Sequence, residues 1–264
     1  MERRFGIIGN PVSHSRSAVF FSERFARTGQ EASYARYCLD SIGELTGLLK
    51  SEPALAGFNV TSPFKQAVMP FLDCLSPEAE RIGAVNVVRI DRSEAFAGSA
   101  CGLPGVRLTG FNTDCLGFRD SLTAQADWLD AVRRRPALVL GTGGAARAVA
   151  CALQELEIDF TLVSRSPSLG TGYPVRAYQD LTAGSVAGCG LIVNATPLGM
   201  PPRETECAAI PYEALGPQHW LYDLVYHPAE TLFLQRGRLA GARSANGGEM
   251  FRRQALATAA VWRV

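Results

Sequence analysis

Lysine, histidine and any excess of positive charge are nearly absent from this 264-residue sequence. Of its 26 Lys and Arg residues only Lys50 and Lys65 are lysines, three histidines occur, and the formal net charge is +1. Nucleic-acid-binding domains usually carry a clear surplus of positive charge. We therefore expect no nucleic-acid partner, but a small-molecule ligand and a chain that is a monomer or a homodimer.

Long apolar runs and patterned cysteines are also missing. No run approaches the roughly 20 residues of a membrane span, and the first residues lack the features of a signal peptide. The seven cysteines include no C-x-x-C pair, and His14, His219 and His227 stand at no ligand spacing from them. We expect no membrane association, no metal, no disulfide framework, and a cytoplasmic location, where thiols stay reduced.

The hydrophobic pattern predicts an α/β protein of one large or two small domains. In the first half we expect strands over 5–9, 33–39, 55–60 and 84–90, helices over 17–28, 42–50 and 77–81, and a loop or hairpin over 91–108. In the second half we expect strands over 137–140, 160–163, 191–193 and 220–222 and helices over 116–126, 145–156, 231–239 and 249–262. This alternation indicates mainly parallel sheets covered by helices.

A glycine-rich turn follows the strand over 137–140 and opens a helix. Its glycines, Gly141, Gly143 and Gly144, would let the backbone approach a pyrophosphate, whose charge would face the helix N-terminus. Many such loops are only turns, but the strand–loop–helix context indicates a dinucleotide site. After the next strand, where an NAD site has an acidic residue, the chain has Ser164 and Arg165. Arg165 can bond a 2′-phosphate, which favours NADP over NAD.

Polar residues follow the predicted strands of the first half. Asn59, Thr61 and Lys65 lie beyond one strand, Asn86 interrupts an apolar stretch, and Asp114 starts a helix. Each alone fits a cap or a turn, and Asp114 could simply cap its helix. Together with a nicotinamide site, a lysine, a carboxylate and several amides would suit a reductase that acts on the carbonyl of a polyol.

The chain resembles the shikimate dehydrogenase family in a series of ordered segments. They are GNPVSHSRS (9–17), NVTSPFK (59–65), GAVN (83–86), NTD (112–114), GTGGA (141–145), NATPLGM (194–200), YDLVY (222–226), Met250 and Gln254. The resemblance implies two α/β domains with a cleft between them. Residues 1–114, completed by the C-terminal helix 244–264, would bind substrate, and 115–243 would form a Rossmann-like NADP-binding domain.

The family's reaction is the reversible reduction of 3-dehydroshikimate to shikimate with NADPH, a step of chorismate and aromatic amino-acid biosynthesis. Two alternatives stay open: a paralogue that acts on quinate or an amino analogue, and an idle binding protein on the same fold. By motif, Lys65 would be the acid/base residue, with Asp114 as its partner.

The resemblance also implies the binding residues of both ligands. The substrate contacts would be Ser15, Ser17, Asn59, Thr61, Asn86, Asp114, Tyr226 and Gln254. The cofactor contacts would be Gly141, Gly143, Gly144, Ala145, Ser164, Arg165, Asn194, Thr196, Pro197, Met200, Leu224 and Gly247.

Overall fold

Two structural units, each with its own six-stranded sheet, make up the fold. The computed structural model describes residues 2–13, 15–167 and 172–264, so His14 of the first motif lies outside the described residues. The first unit comprises Met1–Thr113 with Ala255–Val264, and the second comprises Asp114–Gln254. The assignment of substrate to one part of the chain and cofactor to the other stays a prediction.

The first unit holds a mixed sheet with helices. Its strands are β1 Arg3–Gly9, β2 Ala32–Cys38, β3 Leu55–Val60, β4 Cys74–Leu75, β5 Val87–Arg92 and β6 Val106–Phe111. Its helices are α1 Ser17–Thr28, α2 Leu45–Ser51, α3 Phe64–Ala67 and α4 Pro77–Ile82. The strand order is β2-β1-β3-β5-β6-β4, with β5 antiparallel to both of its neighbours and the other pairs parallel.

The core of the first unit includes an aromatic cluster that fixes the C-terminal residues to the sheet. Phe21 and Phe25 of α1 are buried, and Gly29 ends that helix in the left-handed conformation, at φ 64°. The Trp262 ring stacks on Phe5 at 4.8 Å, and its indole N–H donates to the Val88 carbonyl at 3.0 Å. A Cβ at Gly57 would lie 2.5 Å from the Trp262 indole nitrogen, so glycine is required there.

The second unit holds a wholly parallel sheet in the order β12-β11-β10-β7-β8-β9. Its strands are β7 Ala137–Leu140, β8 Phe160–Ser164, β9 Val175–Ala177, β10 Leu191–Asn194, β11 Trp220–Asp223 and β12 Arg243–Asn246. The remaining helices are α5 Asp114–Thr123, α6 Ala126–Val132, α7 Gly144–Glu155, α8 Ala183–Ala187, α9 Leu232–Leu239 and α10 Gly248–Trp262. None of the helices in the described residues is long and apolar enough to cross a bilayer.

The α/β class with mainly parallel sheets is confirmed, and several local expectations need correction. The strand expected over 84–90 is Val87–Arg92, and it forms an antiparallel hairpin with β6. The helix expected over 116–126 is two helices, α5 and α6. The segment expected to be helical from residue 244 begins instead with β12, because Arg243–Asn246 pairs in parallel with β11.

Candidate active site

One edge of the first sheet gathers several of the polar residues expected to bind substrate. Strands β1 and β3 are parallel and end at this edge. Strand β5 begins there and β6 ends there, because Asn59 is opposite Val87 and Val87 is opposite Phe111. Ligands of open α/β sheets bind outside the carboxyl ends of the strands. The edge therefore brings Thr61, Asn86 and the segment 112–113 to neighbouring positions.

Asn59 is held by hydrogen bonds on both sides of its amide. Its side chain is only 5% exposed. The Tyr34 hydroxyl donates to Asn59 Oδ1 at 2.7 Å, and Asn59 Nδ2 donates to the Asn86 carbonyl at 3.3 Å. Sequence reasoning gave no role to Tyr34, whose ring stacks on Phe21 at 5.1 Å. The Asn59 amide is thus held in a fixed orientation before any ligand binds.

Asn86 holds the residue that precedes Asp114. Its Oδ1 accepts the backbone N–H of Thr113 at 2.8 Å, and its Nδ2 donates to the Thr113 hydroxyl at 3.0 Å. That hydroxyl also lies 3.2 Å from the Thr258 hydroxyl of α10. Asn86, Thr113 and Asp114 are all buried. The network fixes the backbone where α5 begins, and Thr113 is a contributor that the sequence did not single out.

Lys65 lies in the short helix α3, directly beyond β3. Pro63 immediately precedes that helix and occupies its N-cap. The Lys65 carbonyl accepts the backbone N–H of Val85 at 2.7 Å, which anchors the helix to the segment before β5. The Lys65 residue is half-buried.

Ser15 and Ser17 stand where α1 begins. Ser17 is the first residue of the helix and is buried, and its backbone N–H donates to Ser15 Oγ at 3.2 Å. A helix N-terminus favours a negatively charged group. Hydroxyl groups at this position suit a carboxylate, and the resemblance implies both serines as substrate contacts.

Three of the expected substrate contacts belong to the second unit. Asp114 is the first residue of α5 and is 6% exposed. The Tyr226 ring packs against Phe251 at 5.0 Å, and Gln254 lies on α10. A Cβ at Gly117 of α5 would lie 2.8 Å from Gln254 Cβ, so a glycine there allows α5 and α10 to approach closely.

The glycine-rich loop has the geometry of an open anion-binding turn. Gly141 has φ +118°, and a Cβ there would lie 3.2 Å from the Ala195 carbonyl oxygen. Gly143 is the N-cap of α7, and a Cβ at Gly143 would meet nothing within 4 Å. Within the described chain no side chain caps α7. Its N-terminal N–H groups therefore remain available to a phosphate, next to Gly144 and Ala145.

The other expected cofactor residues follow the neighbouring strands at the same edge. Leu140, Asn194, Asp223 and Asn246 are in register across β7, β10, β11 and β12. Strand β7 lies between β8 and β10, so the chain reverses its direction of travel across the sheet there, which marks the ligand crevice of such sheets.

Gly247 follows β12 at this edge, beside Leu224. A Cβ at Gly247 would overlap the Leu224 carbonyl oxygen, so only glycine fits there. Because residue 247 has no side chain, the backbone of Gly247 and Leu224 is not covered at this point. The resemblance implied both positions as cofactor contacts, and that assignment stays a prediction.

A buried network supports the loop over 195–200. Asn194 Nδ2 donates to Asp223 Oδ1 at 2.9 Å, and Asn194 Oδ1 accepts the Thr196 hydroxyl at 2.6 Å. Asp223 also accepts the Thr231 hydroxyl at 2.5 Å and the Val225 N–H at 2.9 Å. Burial raises the pKa of Asp223 to about 6, against the lowering effect of these donors. Asp223 and Thr231 were not among the expected residues.

A backbone hydrogen bond within the loop holds the rest of that segment. The Met200 N–H donates to the Pro197 carbonyl at 3.3 Å, and Pro197 is exposed. The Asn194 side chain is fully buried and engaged in the network. Thr196 and Met200 are partly exposed, so these two residues and Pro197, unlike Asn194, present surface to a ligand.

Arg165 is exposed directly after β8. Ser164 Oγ accepts the Ser166 N–H at 3.2 Å, which shapes the turn that presents Arg165. Burial raises the pKa of Tyr178 to about 12, and the nearby positive charge of Arg165 opposes that rise. An exposed guanidinium at the end of the second strand of the dinucleotide motif can bond a phosphate on the ribose.

Comparisons with known proteins agree on one family. Residues 7–88 match the model of the shikimate dehydrogenase substrate binding domain. A shikimate dehydrogenase (NADP(+)) of Moorella thermoacetica is 37% identical over 97% of this chain and 86% of its own.

Solved structures give the same result. The shikimate 5-dehydrogenase of Thermus thermophilus, solved with NADP(H) and shikimate, is 33% identical, with a TM-score of 0.80 over 98% of this chain and 93% of its own. A quinate dehydrogenase of Corynebacterium glutamicum, solved with NAD, is 28% identical, with a TM-score of 0.80 over 99% and 93%.

Proposed function

This chain belongs to the shikimate dehydrogenase family, and we propose that it catalyses the reversible reduction of 3-dehydroshikimate to shikimate with NADPH. One observation carries the proposal: a single chain holds an uncapped dinucleotide loop at Gly141–Gly144, and a half-buried lysine at a sheet edge of fixed amides. The first feature suits a nicotinamide cofactor, and the second suits a carbonyl substrate bearing hydroxyl groups.

The residues of the second unit fit NADP. The space beside Gly143 and the uncapped start of α7 suit the pyrophosphate, and exposed Arg165 suits the 2′-phosphate. Thr196 and the Leu224–Gly247 backbone contact would line the remaining crevice. When bound, NADPH supplies the hydride that reduces the substrate carbonyl.

Lys65 would donate the proton in the reduction and accept it in the reverse reaction. Hydride addition to a carbonyl leaves an alkoxide, and a neighbouring ammonium stabilises that charge and then donates a proton to the oxygen. In the reverse direction the neutral amine takes the proton from the shikimate hydroxyl as the hydride leaves. The balance is one hydride and one proton added to the carbonyl, and Lys65 regains its proton from solvent.

Asp114 would hold the Lys65 ammonium and one substrate hydroxyl. A carboxylate accepts hydrogen bonds from both groups. The network from Asn86 to Thr113 fixes the backbone next to Asp114. Ser15 and Ser17 would bind the substrate carboxylate, and Asn59, Thr61, Asn86, Tyr226 and Gln254 would contact its hydroxyls.

A quinate dehydrogenase that uses NAD is the second candidate, since a structure of that activity shares the fold at a TM-score of 0.80. Quinate also carries a carboxylate and several hydroxyls, so the substrate-side amides do not distinguish the two acids. Arg165 favours NADP over NAD, because an arginine can bind the 2′-phosphate that NADP carries and NAD lacks.

A four-way assay separates these functions. Shikimate and quinate are each offered with NADP+ and with NAD+, and formation of the reduced cofactor is followed by its absorbance. We expect the highest kcat/KM for shikimate with NADP+. Preference for quinate with NAD+ would support the second candidate, and no turnover by a folded protein would support an idle binding protein.

A further inference from the structure

Helices α5 and α7 bring two thiols and a carboxylate together in the second unit. Cys115 lies in the first turn of α5, and Cys151 and Glu155 lie on α7. Their two Sγ atoms and one carboxylate oxygen lie within 4.8 Å of one another. We propose that this trio binds a soft divalent metal ion of the zinc class. The proposal concerns the second unit alone and does not depend on the proposed function.

The spacing of the ligands suits such an ion. Cys151 and Glu155 are four residues apart on one helix, so they share a face, and Cys115 comes from the helix packed against it. Three protein ligands with a fourth position left for water are a common zinc arrangement. With Zn–S bonds near 2.3 Å, tetrahedral ligands stand about 3.8 Å apart. The trio therefore needs a contraction of about 1 Å at most.

The surroundings orient the carboxylate and leave access to it. Cys115 and Cys151 are 3% and 1% exposed, whereas Glu155 reaches solvent. Arg119 Nη1 donates to Glu155 Oε2 at 3.0 Å, while Glu155 Oε1 lies 3.9 Å from Cys151 Sγ. One carboxylate oxygen is thus held by a guanidinium and the other faces the thiols, as in metal sites whose ligands are fixed by outer hydrogen bonds.

Binding exchanges protons for the metal ion. The two thiols release one proton each as two sulfur–metal bonds form, and the ionised Glu155 adds an oxygen ligand. Thiolates select zinc-like ions over magnesium or calcium. The sequence search for C-x-x-C pairs could not find this site, because its cysteines lie on different helices.

Cadmium is the probe of choice, because thiolate–cadmium bonds give a charge-transfer absorption. The full-length protein, kept reduced with a phosphine, is titrated with Cd²⁺. We expect Cys115→Ser and Cys151→Ser each to remove the signal of one ion per chain, and Glu155→Gln to weaken its binding by at least about tenfold. Cys189→Ser, which changes another buried thiol of the same unit, is the matched control and should leave the signal intact.

A second readout follows stability. An ion that bridges α5 and α7 binds the folded state, so Zn²⁺ should raise the Tm of the parent protein and of Cys189→Ser, but not of the Cys115→Ser/Cys151→Ser double variant. Equal absorption and equal Tm shifts in the parent and the double variant would overturn the proposal. If the serine variants do not fold, unchanged cadmium affinity in Glu155→Gln, whose side chain reaches solvent, would overturn it as well.

Discussion

The side chain of Asn86 bonds both the backbone N–H and the side-chain hydroxyl of Thr113, the residue immediately before Asp114. Its Oδ1 accepts the Thr113 N–H at 2.8 Å and its Nδ2 donates to the Thr113 hydroxyl at 3.0 Å. Both residues are buried, so neither group can turn to water if its partner is removed. The pair joins the start of β5 to the start of α5, where the proposed acid/base chemistry needs a fixed backbone.

The first prediction is that Asn86 and Thr113 are energetically coupled. Asn86→Ala should lower the free energy of unfolding by about 1–3 kcal/mol, because it leaves the buried Thr113 N–H without that acceptor. Thr113→Val removes only the hydroxyl and should cost less. In urea unfolding, the double variant should lose at least about 0.5 kcal/mol less than the sum of the single losses. Strict additivity would show that the two side chains act independently.

Arg165 should discriminate between the two nicotinamide cofactors. Arg165→Ala should raise the KM for NADP+ by roughly tenfold or more, since a charge-assisted bond to phosphate is worth about 1.5–3 kcal/mol. The KM for NAD+ should change little. Arg238→Ala, which removes another exposed arginine of the second unit, is the control. An equal rise for both cofactors would mean that Arg165 does not contact the 2′-phosphate.

Asp114 should be distinguishable from a helix cap. Asp114 is the first residue of α5, and a carboxylate in the first turn contributes only about 0.3–1 kcal/mol through the helix dipole, so Asp114→Asn should keep a Tm within a few degrees of the parent. Without the charge, kcat/KM for shikimate should fall by more than about tenfold, while NADP+ affinity stays nearly unchanged. The control is Asp120→Asn on the same helix. A proportional loss of stability and activity in Asp114→Asn would reduce Asp114 to a cap.

Asp223 should make the free energy of unfolding fall as the pH rises. Burial raises its pKa from 3.8 to about 6. Its protonated form is therefore favoured in the folded state, and the associated stability is present below pH 3.8 and is lost as the pH rises through 6. Relative to Asp223→Asn, the parent should lose about 1 kcal/mol of unfolding free energy between about pH 5 and about pH 7. Parallel pH profiles of the two proteins would contradict this.

The sequence predicted correctly those helices and strands whose formation depends mainly on their own residues. Helix α1 matches the expected 17–28, because its apolar spacing is helical and Gly29 ends it. Strands β3 and β7 match as apolar runs. The short strands β9 and β12 escaped notice, since their stability comes from pairing with a neighbouring strand rather than from their own residues.

In the candidate site, too, the sequence predicted residues that stand out locally but not the contacts between residues of different strands. Lys65, Asp114 and Arg165 were predicted because their residue types stand out at strand ends and helix starts. The supporting contacts were not, because Tyr34 and Asn59 lie on different strands, as do Asn194 and Asp223. Only the assembly of those strands into one sheet brings such residues together, and no spacing along the chain reveals it.

Lys65 is predicted to be the proton donor in the carbonyl reduction that we propose for this chain. The most direct test is the kcat for shikimate oxidation by Lys65→Ala, measured beside Lys50→Ala, the change at the other lysine of the sequence. We predict a fall of at least about a hundredfold in Lys65→Ala, with its Tm and NADP+ affinity preserved, and no change in Lys50→Ala. Turnover by folded Lys65→Ala within a few-fold of the parent would contradict the claim.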